Sequence, residues 1–495
     1  MVDPEGSAHS SVNRGIWIIG MAVALMVTVY ALPNPPGLIR NGEAITLTAH
    51  GKACLGILLF AVTLWVTEAL PFAVTSLFVL LLIPVFGIAD YPSVVAAGFG
   101  NPIITFFIGV SMLSAGFSHS GLGKRLVLHV LRIVGTKTDR VLLGFLVAGA
   151  ALSMWITDMA VAAIMMPLGV GVLRDAGLSP LKSNFGRGLM ISCAYGPLIG
   201  GVGTPAGTGV NPIALSYLNE LAGLEISFIR WMTIGVPAVL LMLPLGWWVL
   251  LKVFPPEIER LPVANEDIKK QLKALGPPTV VERKTLTVFA VTITLWLGTP
   301  LFSFLTNGVV NPSLQAVGLF GGLALFLPGI NALTWKQAQR DVDWGGVVLI
   351  VAGLSLGLMI FETGAARWLA QLLLGRLGFV PFIVQPFVIV MAVAALHLLF
   401  SSNTVTGSII MPIVIALAQD LGLNVWSVAA PAAFTSSLAF ILVTESPTNI
   451  VPYSAGYFSI RDMAKSGVWM TLGAAVCVTL SIVLVGAILQ APGAG

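Results

Sequence analysis

Two stretches decide the fold of this chain: VLLGFLVAGAALSMWITDMAVAAIMMPLGVGVLRD, residues 141–175, and FIVQPFVIVMAVAALHLLFSSNTVTGSIIMPIVIALAQDL, residues 382–421. Both are apolar and both are interrupted midway, by Thr157-Asp158 in the first and by Ser401-Ser402-Asn403-Thr404 in the second. Each is too short for two full helical crossings of a hydrocarbon layer about 30 Å thick. A re-entrant hairpin, which enters the layer, turns and leaves on the same side, fits both the length and the interruption. Polar backbone at that depth persists only where protein or a watery cavity surrounds it.

The two stretches also match each other. Their second arms end Ile164-Met165-Met166-Pro167 and Ile409-Ile410-Met411-Pro412. Counting back from each proline places Thr157-Asp158-Met159 where the other stretch has Ser402-Asn403-Thr404. Upstream, Ser120-Gly121 and Thr363-Gly364 each end an apolar span, and an amphipathic segment follows, Gly123 to Gly135 and Ala365 to Gly378. The first of these reads as an interfacial helix anchoring a moving part, in preference to a lipid-binding element. Downstream, each stretch is followed by a span broken by Gly, Pro, Ser and Thr, at Gly200–Pro212 and Thr444–Pro452. Aligning Asn211 with Asn449 sets Gly207 opposite Glu445 and Thr208 opposite Ser446.

Composition agrees with a membrane-embedded chain. Of 495 residues, 57% are hydrophobic and only 9% charged, whereas soluble domains carry about a quarter charged residues. Apolar runs and turn signals predict spans near 15–33, 53–67, 70–88, 101–119, 187–222, 229–253, 285–305, 311–331, 344–362, 427–458 and 466–491. The expected fold is therefore an all-α polytopic membrane protein, with about eleven transmembrane helices and two re-entrant hairpins in an inverted repeat. Residues 1–13 read as a short tail, without the pattern of a secretory signal. Cys54, Cys193 and Cys477 lie inside apolar runs and read as packing residues. A net charge of +4 spread over loops gives no basic stripe for nucleic acid.

With the N-terminus in the cytoplasm, all but five of the 25 lysines and arginines fall inside; Arg40, Lys52, Arg230, Arg367 and Arg376 fall outside. The positive-inside rule favours this orientation in the cytoplasmic (inner or plasma) membrane. The domains expected are 1–254, the first half with its N-terminal spans; 255–284, a cytoplasmic linker; and 285–495, the second half. The first hairpin then enters from the cytoplasm and the second from outside. Inverted repeats with interrupted helices at matching places point to a transporter with its site at the midplane. The N-terminal ends of short half-helices suit an anion there.

The run Trp65-Val66-Thr67-Glu68-Ala69-Leu70-Pro71, the hairpin run Ser402-Asn403-Thr404 closed by Met411-Pro412, and GGVGTPAGTGVNP from Gly200 to Pro212 together resemble the divalent anion/sodium symporter family. The resemblance covers nearly the whole chain in the right order. It implies a homodimer with an elevator-like transport domain. It also implies substrates such as succinate, malate, citrate or sulfate, and exchange instead of sodium symport in some members. Carried over, Ser402, Asn403 and Thr404 bind substrate and a cation, and Thr208, Ser446 and Pro447 line the substrate position. Gly207 offers a carbonyl to a cation, and Ser153, one turn before Thr157, matches a cation ligand. No cofactor beyond sodium ions is implied, and a dicarboxylate is the favoured substrate.

The first tip departs from the family pattern: Thr157-Asp158-Met159 stands for Ser-Asn-Thr, and Glu445 stands where the family has a small residue. An ionised Asp158 about 4 Å from a substrate carboxylate costs roughly 4 kcal/mol at an effective dielectric near 20. A sodium ion between them, a proton on Asp158, or a substrate that is not an anion at that end resolves the conflict. Asp158 and Glu445 are therefore coupling candidates. Their structural alternatives are an N-cap role for Asp158 and a packed interface with Ser and Thr partners for Glu445. Glu68 reads as a turn and helix-end residue.

An enzyme is not expected. The chain has no His-Glu-x-x-His, and Gly353–Gly357 spells Gly-x-Ser-x-Gly only inside an apolar span. The function expected is secondary active transport of a small carboxylate-bearing or divalent anion, coupled to sodium or protons. The alternatives are an ion antiporter or metalloid permease of related architecture, and an anion exchanger without cation coupling.

Overall fold

The computed structural model describes residues 4–40, 43–262 and 264–489. It is helical apart from one small hairpin of strands. The first half runs α1 (Pro4–Ala31), β1 (Leu38–Arg40), β2 (Glu43–Ile45), α2 (Ala49–Thr67), α3 (Phe72–Val85), α4 (Tyr91–Phe99) and α5 (Pro102–Ser120). It continues through α6 (Leu122–Val134), α7 (Thr138–Ser153), α8 (Asp158–Asp175), α9 (Asn184–Gly201), α10 (Val210–Ala222) and α11 (Phe228–Val253). A linker helix, α12 (Ala264–Leu275), follows. The second half comprises α13 (Val280–Leu305), α14 (Leu314–Ala324), α15 (Trp335–Asp341), α16 (Trp344–Glu362) and α17 (Ala365–Leu374). It closes with α18 (Gln385–His397), α19 (Asn403–Leu421), α20 (Val425–Thr435), α21 (Pro447–Tyr453) and α22 (Ile460–Leu489).

Eight helical segments are long and apolar enough to cross a membrane among the described residues. The sequence predicts eleven spans. Four predicted spans are assembled from shorter pieces: α3 has 14 residues, α14 has 11, and two others are helices broken in the middle. In turn α19, which the sequence assigns to the second hairpin, is itself of span length. Residues 4–13, read as a tail, continue helix α1, while residues 1–3 and 490–495 lie outside the described residues. The polar stretch 280–284, assigned to the linker, is the start of α13. There Thr279 and Glu282 cap each other's backbone N–H groups.

Local chemistry sets the helix ends at matching places in the two halves. Gly121 and Gly364 adopt left-handed φ values of 80° and 78°, ending α5 and α16 before the amphipathic helices α6 and α17. Glu68 likewise ends α2 in the left-handed region at φ 50°. Pro167 and Pro412 occupy the interiors of α8 and α19.

Packing interlocks the halves. Helix α5 pairs with α14 and α16 with α3, while α8 lies on α21 and α19 on α10. Buried aromatic hydroxyls and indoles tie these layers to backbone carbonyls: Tyr195 to Phe440 O at 3.0 Å and Trp231 Nε1 to Val202 O at 2.9 Å. Large apolar side chains such as Trp17, Val85 and Phe304 remain exposed on the outer helices. Polar groups such as Thr208, Asn211 and Asn449 are buried within. That is the distribution a lipid-solvated surface requires.

Both interrupted stretches form two helices joined by a loop at the polar break. Thr138, at the start of α7, donates to Ile258 O at 2.7 Å, and Phe185 N, just beyond α8, donates to Glu257 at 2.9 Å. In the second hairpin, Asp420 near the end of α19 accepts from Arg367 at 2.6 Å and from Gln371, both on α17. The outgoing arm α19 has 19 residues, about 28 Å of helix at 1.5 Å per residue.

Candidate functional site

The hairpin tips meet. Asp158 is the first residue of α8 and Asn403 the first of α19, and Asn403 Nδ2 donates to Asp158 Oδ2 at 3.4 Å. The other carboxylate oxygen accepts from Met159 N at 2.9 Å, and the Thr448 side chain is a further partner. Thr157 occupies the N-cap position, without a side-chain cap bond. Its hydroxyl lies 3.2 Å from that of Ser114. Asp158 therefore binds the N–H of the next residue instead of serving as the cap itself. Neither Asp158 nor Glu445 has an ion-pair partner among the described residues. Both are buried, at 8% and 3% exposure, and a buried carboxylate without a cation is costly.

Behind Asp158 lies a knot of oxygens. Asp158 N donates to Gly207 O at 3.2 Å. A Cβ on Gly207 would stand 2.4 Å from Gly201 O and 2.5 Å from Ser153 O, so only glycine brings the broken helix this close to the hairpin. Ser153 is fully buried and its hydroxyl has no hydrogen-bond partner. Ser153 and Thr208 both pack against Gly201. Carbonyl, hydroxyl and carboxylate oxygens at an unwound helix form the donor set that holds small hard cations in transporters.

The breaks in α9–α10 and α20–α21 leave carbonyls without a full set of helical partners, and one asparagine in each half bridges two of them. Asn211 Nδ2 donates to Gly201 O at 2.8 Å and Thr204 O at 2.7 Å. Asn449 Nδ2 donates to Ala439 O at 2.7 Å and Leu442 O at 3.0 Å. In both halves the acceptors lie ten and seven residues back. The alignment of Asn211 with Asn449 is therefore a structural equivalence, although the sequence alone gave these side chains no role. Thr448, against Asp158, also escaped the sequence reading. Its place one residue past Pro447 was the available signal.

Placement of the remaining candidates is uneven. The Thr404 hydroxyl would stand 3.1 Å from a methyl on Gly209, so Thr404 faces the start of α10 beside Thr208. Ser402 is the half-buried N-cap residue of α19, and Asn403 Oδ1 is buried without a partner. Ser446 caps α21, accepting from Thr448 N at 3.3 Å, and Pro447 is exposed beside it. Glu445 folds back on its own turn, accepting from Ile441 N at 3.2 Å. No hydrogen bond links it to either tip among the described residues.

The family model described as the sodium:sulfate symporter transmembrane region matches residues 13–491. The sodium-dependent dicarboxylate transporter SdcS of Staphylococcus saprophyticus is 32% identical over 456 residues, covering 88% of this chain and 86% of that one. SdcS of Staphylococcus aureus is 32% identical over 452 residues, covering 87% and 85%. Among solved structures, the YdaH transporter of Alcanivorax borkumensis shares the fold at a TM-score of 0.55 and 14% identity, over 97% of this chain and 98% of that one. With paired hairpins meeting tip to tip and a family match from end to end, this membrane protein belongs to the divalent anion/sodium symporter family.

Proposed function

We propose that the protein is a sodium-coupled transporter of a small dicarboxylate, with its site where the hairpin tips meet. The observation that carries this reading is the contact between Asp158 and Asn403. It brings the N-terminal ends of α8 and α19 together, where oriented N–H groups favour an anion. The names of the two SdcS relatives supply the substrate class and the coupling ion.

In this reading Ser402, Asn403, Thr404, Thr208, Ser446, Pro447 and Thr157 contact substrate. Sodium lies among Ser153, Gly207, Asn403 and Asp158 and neutralises the carboxylate that would otherwise repel the substrate. Ordered binding follows: sodium first removes a penalty of roughly 4 kcal/mol, and the dicarboxylate then binds. Glu445, turned onto Ile441 N, acts in the second half's break and not at the tips. The hairpins are re-entrant, the N-terminus and the linker before α13 are cytoplasmic, and the first half is related to the second by inversion. That pseudo-symmetry supports an elevator movement within a homodimer.

Purified protein in proteoliposomes tests the reading. Succinate uptake is expected to follow an inward sodium gradient and to be indifferent to a pH gradient alone. Asn403→Ala is expected to weaken substrate binding by about 1–3 kcal/mol, the loss of one charge-assisted hydrogen bond. Unchanged uptake by a correctly inserted Asn403→Ala protein would remove the tip from the substrate site.

A further inference from the structure

Away from the hairpin tips, the helix α6 and the linker helix α12 line an open cavity of about 530 Å³. Its walls include Arg125, His129 and Arg132 from α6, with Lys269 and Lys273 from α12, and none of its described lining residues is acidic. On α6 the three basic residues are spaced i, i+4 and i+7, so they share one helix face. Arg125 is held rigidly: it is buried, and its guanidinium donates to Glu282 at 2.8 and 3.0 Å and to Gly276 O at 2.9 Å. His129 is fixed by its Nδ1 against Arg125 O at 2.8 Å. Arg132, Lys269 and Lys273 are exposed, with their charges directed to a common opening.

The cavity lies at the level where spans end. Helix α6 begins directly after the span-length segment that closes at Ser120, and α13, another span-length helix, begins at Val280 beside the cavity wall at Gly276 and Pro278. Next to the basic face, α6 carries Leu126 and Ile133, 39% and 84% exposed and spaced i, i+7. A cationic cavity bordered by an unpartnered apolar stripe at a span end matches the two ends of a phospholipid. Soluble phosphate has no use for the stripe. Basic pockets between helices at this depth bind anionic headgroups, each Lys or Arg contributing about fivefold in affinity.

We infer that the α6–α12 cavity binds the phosphate-bearing headgroup of an anionic phospholipid, with the acyl chains along Leu126 and Ile133. The bound lipid links the amphipathic helix that precedes the first hairpin to the linker between the halves.

The test uses the full chain in detergent, with binding of phosphatidylglycerol and of phosphatidylcholine followed by native mass spectrometry and thermal unfolding. The parent is expected to retain phosphatidylglycerol preferentially and to be stabilised by it, with the preference falling at high salt. In Arg132→Gln/Lys269→Gln/Lys273→Gln, apparent affinity is expected to fall by roughly fivefold for each charge removed, with the melting temperature in phosphatidylcholine unchanged. If that triple variant does not fold, Lys269→Gln/Lys273→Gln, confined to the linker helix, carries the same comparison. Equal phosphatidylglycerol preference in parent and variant would overturn the inference. Full stabilisation by inorganic pyrophosphate without lipid would overturn it too, assigning the cavity to a soluble anion.

Discussion

Asn211 and Asn449 perform one task in the two halves, each amide bridging carbonyls ten and seven residues back across a broken helix. The equally matched pair at the hairpin tips differs in kind, a carboxylate at Asp158 facing an amide at Asn403. The backbone of the breaks admits little variation, because a buried carbonyl without a donor is penalised in either half. The tips face the proposed site, and there the halves are free to diverge. Symmetry thus marks what the fold needs, and asymmetry marks where this chain sets its own chemistry.

The same contrast appears in how the amphipathic helices are tethered. Arg125 on α6 is locked to Glu282 at the start of α13, both nearly buried, whereas Arg367 on α17 holds Asp420 of its own hairpin with its guanidinium about half exposed. The largest expected effect comes from breaking the first tether. Glu282→Ala leaves a buried guanidinium without its carboxylate and is expected to cost about 3–5 kcal/mol. Arg367→Ala is expected to cost less, because Arg367 is half exposed and the buried Asp420 carboxylate keeps Gln371 as a donor. Thermal unfolding of both variants in detergent checks this, and equal losses would mean that the two tethers are alike.

Next in size are Asn211→Ala and Asn449→Ala. Each strips one buried carbonyl, Gly201 O or Ala439 O, of its side-chain donor, while Thr204 O and Leu442 O keep backbone bonds from Gly207 N and Glu445 N at 3.3 Å. A loss of about 1–3 kcal/mol is therefore expected in both halves. A large loss in one half and none in the other would break the structural equivalence of the two breaks.

The breaks at 154–157 and 398–402 and their register were legible because the pattern is local: Pro167 and Pro412 recur at a fixed distance from the polar tips. The departure at Asp158 was legible for the same reason, since a charge in an apolar run stands out. The Arg125–Glu282 tether was not, because its partners lie 157 residues apart and nothing local pairs them. The direction of the Glu445 side chain was not legible either. Its backbone is irregular, and side-chain direction in irregular backbone follows no period, so only the structure places it against Ile441 N. The shortness of α14 was hidden too, because its apolar run continues through the turns after Ala324 without a polar signal.

The central claim is that a sodium ion neutralises Asp158 when substrate binds, and Asp158→Asn tests it most directly. The substitution restores an amide at the first tip and removes the charge that draws the cation. Uptake of succinate into proteoliposomes is measured against external sodium, at fixed pH and membrane potential. The account predicts that Asp158→Asn still transports but needs about tenfold more sodium for half-maximal uptake, equivalent to about 1.4 kcal/mol. A variant whose sodium dependence superimposes on that of the parent would contradict it and leave Asp158 with a structural role only, in its bonds with Met159 N and Asn403 Nδ2.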